Sequence, residues 1–204
     1  RKEFLSNVSH ELKTPLALIS GYAEGLREAV NDDEESRNFY CDVIMDETDK
    51  MNRMVMKLLS LNKLEFGNDV VEMGRFDLTE VISGVIASSA LLAQKNNVTL
   101  QFDYDKPVYV SGDMFKIEEV VTNYISNAIN HCIRDGIITV KYIMTDKLVR
   151  VSVFNPGEVI PKESLDKIWT KFYKVDKART REYGGSGIGL SIVKAIMESH
   201  HRAY

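Results

Sequence analysis

Ile44, Met51, Leu58 and Glu65 stand seven residues apart, with Thr48, Val55 and Asn62 interleaved. That spacing suits a helix presenting one seam to another helix. The predicted helix runs from about Arg37 to Glu65, and residues 1 to about 28 form a second, with Phe4, Val8, Ile19 and several leucines recurring on one face. The acidic stretch Asn31-Asp32-Asp33-Glu34-Glu35-Ser36 connects them. Two such helices cannot enclose a core by themselves. They pair with a second copy as a four-helix bundle, or they pack on the rest of the chain.

Within the first helix, Ser9-His10-Glu11-Leu12-Lys13-Thr14-Pro15-Leu16 gathers an imidazole, a carboxylate, a hydroxyl and a proline into about two turns. His10 points away from the apolar face, and Thr14 lies one turn further on the same side. Pro15 lacks an amide hydrogen and crowds the carbonyl of Glu11, so the helix should bend or loosen there. An imidazole attacks through its neutral nitrogen. A carboxylate that accepts the N–H of the other ring nitrogen fixes the tautomer and stabilises developing positive charge. Glu11 is the adjacent candidate, although consecutive helix residues project about 100° apart. The same residues also suit a surface histidine on an amphipathic helix.

A length of 204 residues allows one or two domains. With 44% apolar and 27% charged residues the composition is that of an ordinary globular protein with enough hydrophobic mass for a core. The net charge of −4 argues against a nucleic-acid or anionic-membrane surface. Cys41 and Cys132 have no metal-like spacing, which suits a reduced cytosolic setting and buried structural thiols. No apolar run has the length of a membrane span, and no signal peptide is recognisable. Arg1-Lys2-Glu3 already lies inside the helical pattern without a cap, so a longer upstream chain is expected.

Gly67-Asn68 breaks the helical pattern, and a domain boundary is placed between residues 1–67 and 74–204. Beyond it, Gly74 with Phe76-Asp77-Leu78 opens a helix that runs to about Lys95, capped by Asp77 or Thr79. Val98 to Tyr104 alternates as a strand, and Val108 to Val110 suits another. Met114 to Cys132 is a periodic helix begun by Gly112-Asp113, Ile137 to Thr145 and Leu148 to Asn155 form a hairpin, and a last helix covers about Gly187 to Ser199. Helices and antiparallel strands in this order predict an α+β sandwich, one helical layer over one sheet.

Four segments of this second part suit one polyanion site. Asn123, Asn127 and Asn130 share a helical stripe. Asparagine is a poor interior helix residue, so the stripe is either a solvated face or a polar site. Its amide oxygens suit Mg²⁺ and its N–H groups suit phosphate. Gly184-Gly185-Ser186-Gly187-Ile188-Gly189-Leu190 precedes a helix, where close backbone approach and free N–H groups favour an anion. It lacks the preceding strand of a dinucleotide loop and the Gly-Lys-Ser/Thr of a P-loop. From Lys171 to Glu182 five cations face two acids, net +3, which leaves −7 for the remainder. Such a cluster suits a triphosphate tail, or an RNA-binding loop. The fourth segment is Phe154-Asn155-Pro156-Gly157-Glu158.

Taken together, these segments resemble the catalytic core of bacterial sensor histidine kinases, in order and spacing, from His10 to Leu190. Residues 9–16, with an aromatic residue six positions before the histidine, match the phosphoacceptor box. The resemblance implies autophosphorylation of His10 from Mg-ATP and transfer to an aspartate of a response regulator. Glu11 is then the general base, and Thr14 orients water in the reverse, phosphatase reaction. Asn123 to His131 matches the N box, in which Asn127 holds Mg²⁺. Glu119 and Asn123 match flanking positions, whereas Asn130 and His131 stand where many relatives carry lysine and tyrosine. Trp169 to Arg181 resembles the F box and ATP lid, with Tyr173 and Lys174 near the terminal phosphates, and Gly185, Gly187, Gly189 and Leu190 match the second glycine box.

Asn155 replaces the aspartate that accepts a hydrogen bond from the adenine amino group, and Gly157 keeps the first glycine of that box. Losing the charge is expected to cost about 1 kcal/mol, roughly a fivefold weaker site. The fold implied is a dimeric helical hairpin for histidine phosphotransfer, followed by an ATP-binding α+β sandwich of the GHKL or Bergerat type lacking its last strand or hairpin. The basic lid resembles Firmicute sensor kinases of envelope stress and antibiotic response. The partners implied are a second copy and a response regulator, with no nucleic acid. The chain would be the cytoplasmic portion of a protein anchored in the membrane through upstream helices. Two rivals remain open: a catalytically weakened scaffold or phosphatase-only dimer, and another ATPase of the same superfamily.

Overall fold

A computed structural model describes residues 2–28, 33–65, 70–175 and 186–204. The connection at 31 and 32, the break at Gly67-Asn68, and the segment bearing Lys177, Arg179, Arg181, Gly184 and Gly185 lie outside the described residues.

The chain opens with α1, Lys2–Arg27, and α2, Glu34–Glu65. Pro15 sits inside α1, which continues through it, and the proline ring is buried. Helix α2 begins three residues before the predicted start, because Asp33 accepts the Ser36 amide at 2.8 Å and Glu34 and Glu35 complement the positive helix end. The acidic run was therefore not all connection. Near the turn, Tyr22 packs edge-on against Tyr40 at 5.1 Å, and a side chain at Gly25 would strike Tyr40.

The α+β part adds β1 (Gly74–Asp77), α3 (Leu78–Lys95), β2 (Thr99–Phe102), β3 (Tyr109–Gly112), α4 (Met114–His131), β4 (Ile137–Met144), β5 (Val149–Phe154), a single 3₁₀ turn at Lys162–Ser164 and α5 (Gly189–Ser199). Asp77 caps α3 through the Thr79 and Glu80 amides, so the helix starts at Leu78. The residues before it form β1, a strand not anticipated from the sequence, antiparallel to β3 with Phe76 opposite Val110. Asp113 caps α4 through the Lys116 amide.

A second sheet has the order β2-β4-β5. Its pairs are β2 with β4, parallel, and β4 with β5, antiparallel. The expectation of a single sheet of antiparallel strands is corrected here. The connection from β2 to β4 contains α4, and such a crossover is what permits parallel neighbours.

The larger core lies between helices and sheet: Ile82 and Val85 of α3 and Ile125 and Ile129 of α4 meet Ile138 and Val140 of β4. A second core joins the hairpin to the sandwich. Leu61 of α2 is buried with Val120, Ile188, Ile192, Val193 and Ile196, while Met54, Leu58, Leu64, Trp169 and Phe172 pack around them. Each fully buried side chain of this kind contributes about 1.5–3 kcal/mol. The carboxy-terminal part of the predicted seam therefore packs on this same chain. Leu5, Leu16, Met45, Val55, Met56 and Leu59 of the hairpin stay exposed.

Cys41 is exposed and Cys132 half-buried, both as free thiols, so the expectation of two buried thiols fails for Cys41. No helix among the described residues is long and apolar enough to cross a membrane.

Candidate functional site

Most of the predicted site residues converge on one cavity of about 440 Å³, a volume that suits a small-molecule ligand. Helix α4 contributes Asn123, Asn127 and Asn130; the start of α5 contributes Gly187, Gly189 and Leu190; the segment after β5 contributes Asn155; and the stretch before residue 176 contributes Tyr173 and Lys174. The 3.6-residue period brings the three asparagines to one side, while Val121, Ile125 and Ile129 of the same helix face the core.

The asparagines differ in setting. Asn123 is buried and donates its Nδ2 to the Glu119 carbonyl at 2.9 Å. Its Oδ1 lies 2.8 Å from where a Cβ on Gly189 would stand, so only glycine leaves this amide in place. Asn127 is exposed and lines the cavity, and its side chain makes no hydrogen bond with a described residue.

Gly187 has φ +67, and a side chain there would also strike the Phe172 backbone at 2.9 Å. Its carbonyl accepts the Phe172 amide at 2.8 Å, tying the aromatic segment to the glycine turn. Tyr173 is held by a 2.9 Å hydrogen bond between its hydroxyl and that of Ser164. Gly157 is not in the cavity wall. A Cβ there would lie 2.3 Å from the His131 carbonyl, so this glycine serves the packing of the post-β5 turn on α4.

The phosphoacceptor candidates lie elsewhere. His10 and Thr14 are exposed on α1, outside the cavity wall, and His10 makes no hydrogen bond with a described residue. Glu11 is engaged: its Oε1 accepts the Lys174 ammonium at 2.7 Å. Lys174 belongs both to the cavity wall and to this ion pair, and so joins the two sets of residues. Beside it, Lys171 pairs with Glu65, and Phe172 meets Phe4 at 5.7 Å. Both described cations of the basic segment are thus bound to carboxylates of the hairpin.

Lys57 of α2 is a wall residue that sequence reasoning missed. Nothing in the heptad pattern marks it, because the other residues of the wall come from segments far away in sequence. Burial lowers its pKa, opposed by the Glu119 carboxylate and aided by Arg53. Cys132 also lines the cavity, where burial raises its pKa and disfavours the thiolate. No cluster of three His, Cys, Asp or Glu side chains suited to a metal occurs among the described residues. A cation here would need amide oxygens and the ligand's own oxygens, which Mg²⁺ accepts.

Residues 1–67 match the family model described as the His Kinase A (phospho-acceptor) domain, and residues 112–203 match that of the histidine kinase-, DNA gyrase B- and HSP90-like ATPase. The sensor histidine kinase WalK of Bacillus subtilis is 34% identical over 98% of this chain and 33% of its own length. The sensor protein kinase WalK of Staphylococcus aureus is 35% identical over 98% of this chain and 49% of its own. The chain thus spans between a third and a half of these relatives.

Among solved structures, the histidine kinase AdeS of Acinetobacter baumannii superposes with a TM-score of 0.75 over 93% of this chain and 86% of its own, at 21% identity, and speaks for the fold alone. The catalytic domain of the histidine kinase ThkA is 32% identical, with a TM-score of 0.55 over 62% of this chain and 80% of its own. ThkA in complex with the response regulator TrrA gives 0.68 at 27% identity, over 84% and 50% of the two chains. With a phosphoacceptor region and an ATPase region in this order, the chain belongs to the family of sensor histidine kinases.

Proposed function

We propose that this protein moves the γ-phosphoryl group of ATP onto His10 and from there to an aspartate of a response regulator. The observation that carries the reading is Lys174, which lines the asparagine- and glycine-walled cavity while its ammonium sits 2.7 Å from the carboxylate beside His10. The group suited to the terminal phosphate is thereby adjacent to the group suited to the imidazole.

In this reading a neutral nitrogen of His10 attacks phosphorus in line as the bond to the bridging oxygen breaks and ADP leaves. Glu11 accepts the N–H of the other ring nitrogen and stabilises the charge that develops there. Thr14, one turn along α1, orients water when the regulator is dephosphorylated. Asn155 accepts from the adenine amino group, with Gly157 setting the turn that carries it. Asn123, Asn130 and Tyr173 position the nucleotide, while the backbone at Gly185, Gly187, Gly189 and Leu190 meets its phosphates. Asn127 is the residue that would hold Mg²⁺, which neutralises phosphate charge when bound.

The exposed apolar residues of the hairpin suit a second copy, giving a dimeric four-helix bundle. The whole protein would be a sensor anchored in the membrane by upstream helices, with this portion in the cytoplasm. The test is incubation with labelled Mg-ATP. An acid-labile, base-stable phosphoprotein that vanishes in His10→Gln is the expected result, and labelling that persists in that variant refutes the proposal.

A further inference from the structure

Lys57 is the one residue that the described part of the hairpin contributes to the cavity wall. Its place on α2 is set by neighbours on both sides. Met54 before it and Leu58 and Leu61 after it pack into the cluster around Ile188 and Ile192. Ile188 immediately precedes α5, so the same contacts hold Lys57 beside the helix end whose Gly187, Gly189 and Leu190 face the cavity. Asn123 and Asn127 line the same cavity.

Lys57 is half-buried, and its ammonium makes no salt bridge or hydrogen bond with a described residue. The Glu119 carboxylate attracts it, while Arg53 repels it. A cation taken partly out of water without a close counter-ion is a cost to the free protein. An anion entering the cavity removes that cost, and the same wall carries the start of α5, a helix end without a side-chain cap that favours the same kind of ligand.

We propose that Lys57 binds the phosphates of the nucleotide from α2, so that the polyphosphate is held by the hairpin and the sandwich together. This rests on the reading of the cavity as the ATP site and extends it to a residue outside the ATPase region. Nucleotide binding and docking of the two parts then become coupled: whatever loosens the Leu61 contact weakens phosphate binding, and a bound polyphosphate favours the docked arrangement. Adenosine, which has no phosphate for the ammonium to meet, does not take part.

The test is calorimetry of the full chain in Mg²⁺ buffer with adenosine 5′-(β,γ-imido)triphosphate and with adenosine. Lys57→Met should weaken the triphosphate analogue by about tenfold, as expected for loss of a charge-assisted contact, and leave adenosine unchanged within about twofold. Lys57→Arg should recover most of the loss. The unliganded Lys57→Met protein should unfold no earlier than the unaltered one, because a desolvated charge has been removed. Undiminished analogue binding in Lys57→Met, or an equal loss for adenosine, overturns the inference alone. Failure of the unaltered chain to bind the analogue overturns the nucleotide reading and this inference together.

Discussion

Truncating Leu61 is the perturbation that most directly probes how the hairpin meets the sandwich. Its side chain is 2% exposed, surrounded by Val120, Ile188, Ile192, Val193 and Ile196. Leu→Ala at such a site removes three carbons' worth of burial and leaves a cavity, together worth about 2–5 kcal/mol. The upper half of that range is expected, because the surrounding residues sit on rigid helices and cannot all collapse inward. Trp169 is the sole tryptophan and packs against this cluster, so its fluorescence reports the interface, while far-UV ellipticity reports the whole chain.

In urea, with a slope of about 1–3 kcal/mol per molar, the Leu61→Ala transition followed by Trp169 should move down by about 1 M or more. Ellipticity should move less, because the sheet core built on Ile82, Ile125 and Ile138 does not contain Leu61. Ile82→Ala is the converse control. A change of under about 0.5 kcal/mol in the Trp169 transition would mean that Leu61 is not buried against α5 in solution, and the account of docking would be wrong.

The remaining predictions concern the site and its supports. Glu11→Gln should slow labelling of His10 by about 10²–10⁴-fold, the usual worth of a general base, while calorimetry still shows nucleotide binding. Gly187→Ala should cost at least about 1–2 kcal/mol in urea unfolding, since φ +67 is strained for alanine and its methyl would meet the Phe172 backbone. Asp77 is held below its ordinary pKa of 3.8 by the Thr79 hydroxyl and by the Thr79 and Glu80 amides. A depressed folded-state pKa stabilises the protein above the unfolded value, and the benefit fades as pH falls through the folded value. Asp77→Asn should therefore be less stable than the unaltered chain at pH 7, with the gap closing below about pH 4 in parallel urea titrations. Removing Mg²⁺ with a chelator should abolish labelling, and Asn127→Ala should require more Mg²⁺ for the half-maximal rate.

Much of this was legible in the linear chain because it depends on local periodicity. The 3.6-residue pattern of α4 placed Asn123, Asn127 and Asn130 together while sending Ile125 and Ile129 inward, and Asp77 and Asp113 announced the helices they cap. The errors lie where distant partners decide. Gly74–Asp77 has a few residues that fit either state, and pairing with β3 makes it a strand. Gly157 belonged to a recognised box, yet the His131 carbonyl beside it explains the glycine through packing.

The covalent order of residues settled which chemical groups this protein owns: an imidazole next to a carboxylate, a row of amides on one helix, and glycines before another. Those are short-range properties, encoded by spacing within a few turns. Only the folded chain determined that Lys174 reaches Glu11, that Lys57 enters the cavity from α2, and that Leu61 locks the hairpin to α5. Such contacts join residues far apart in sequence, and they follow from which apolar faces can be buried against one another, a property of the whole assembly and not of any one segment.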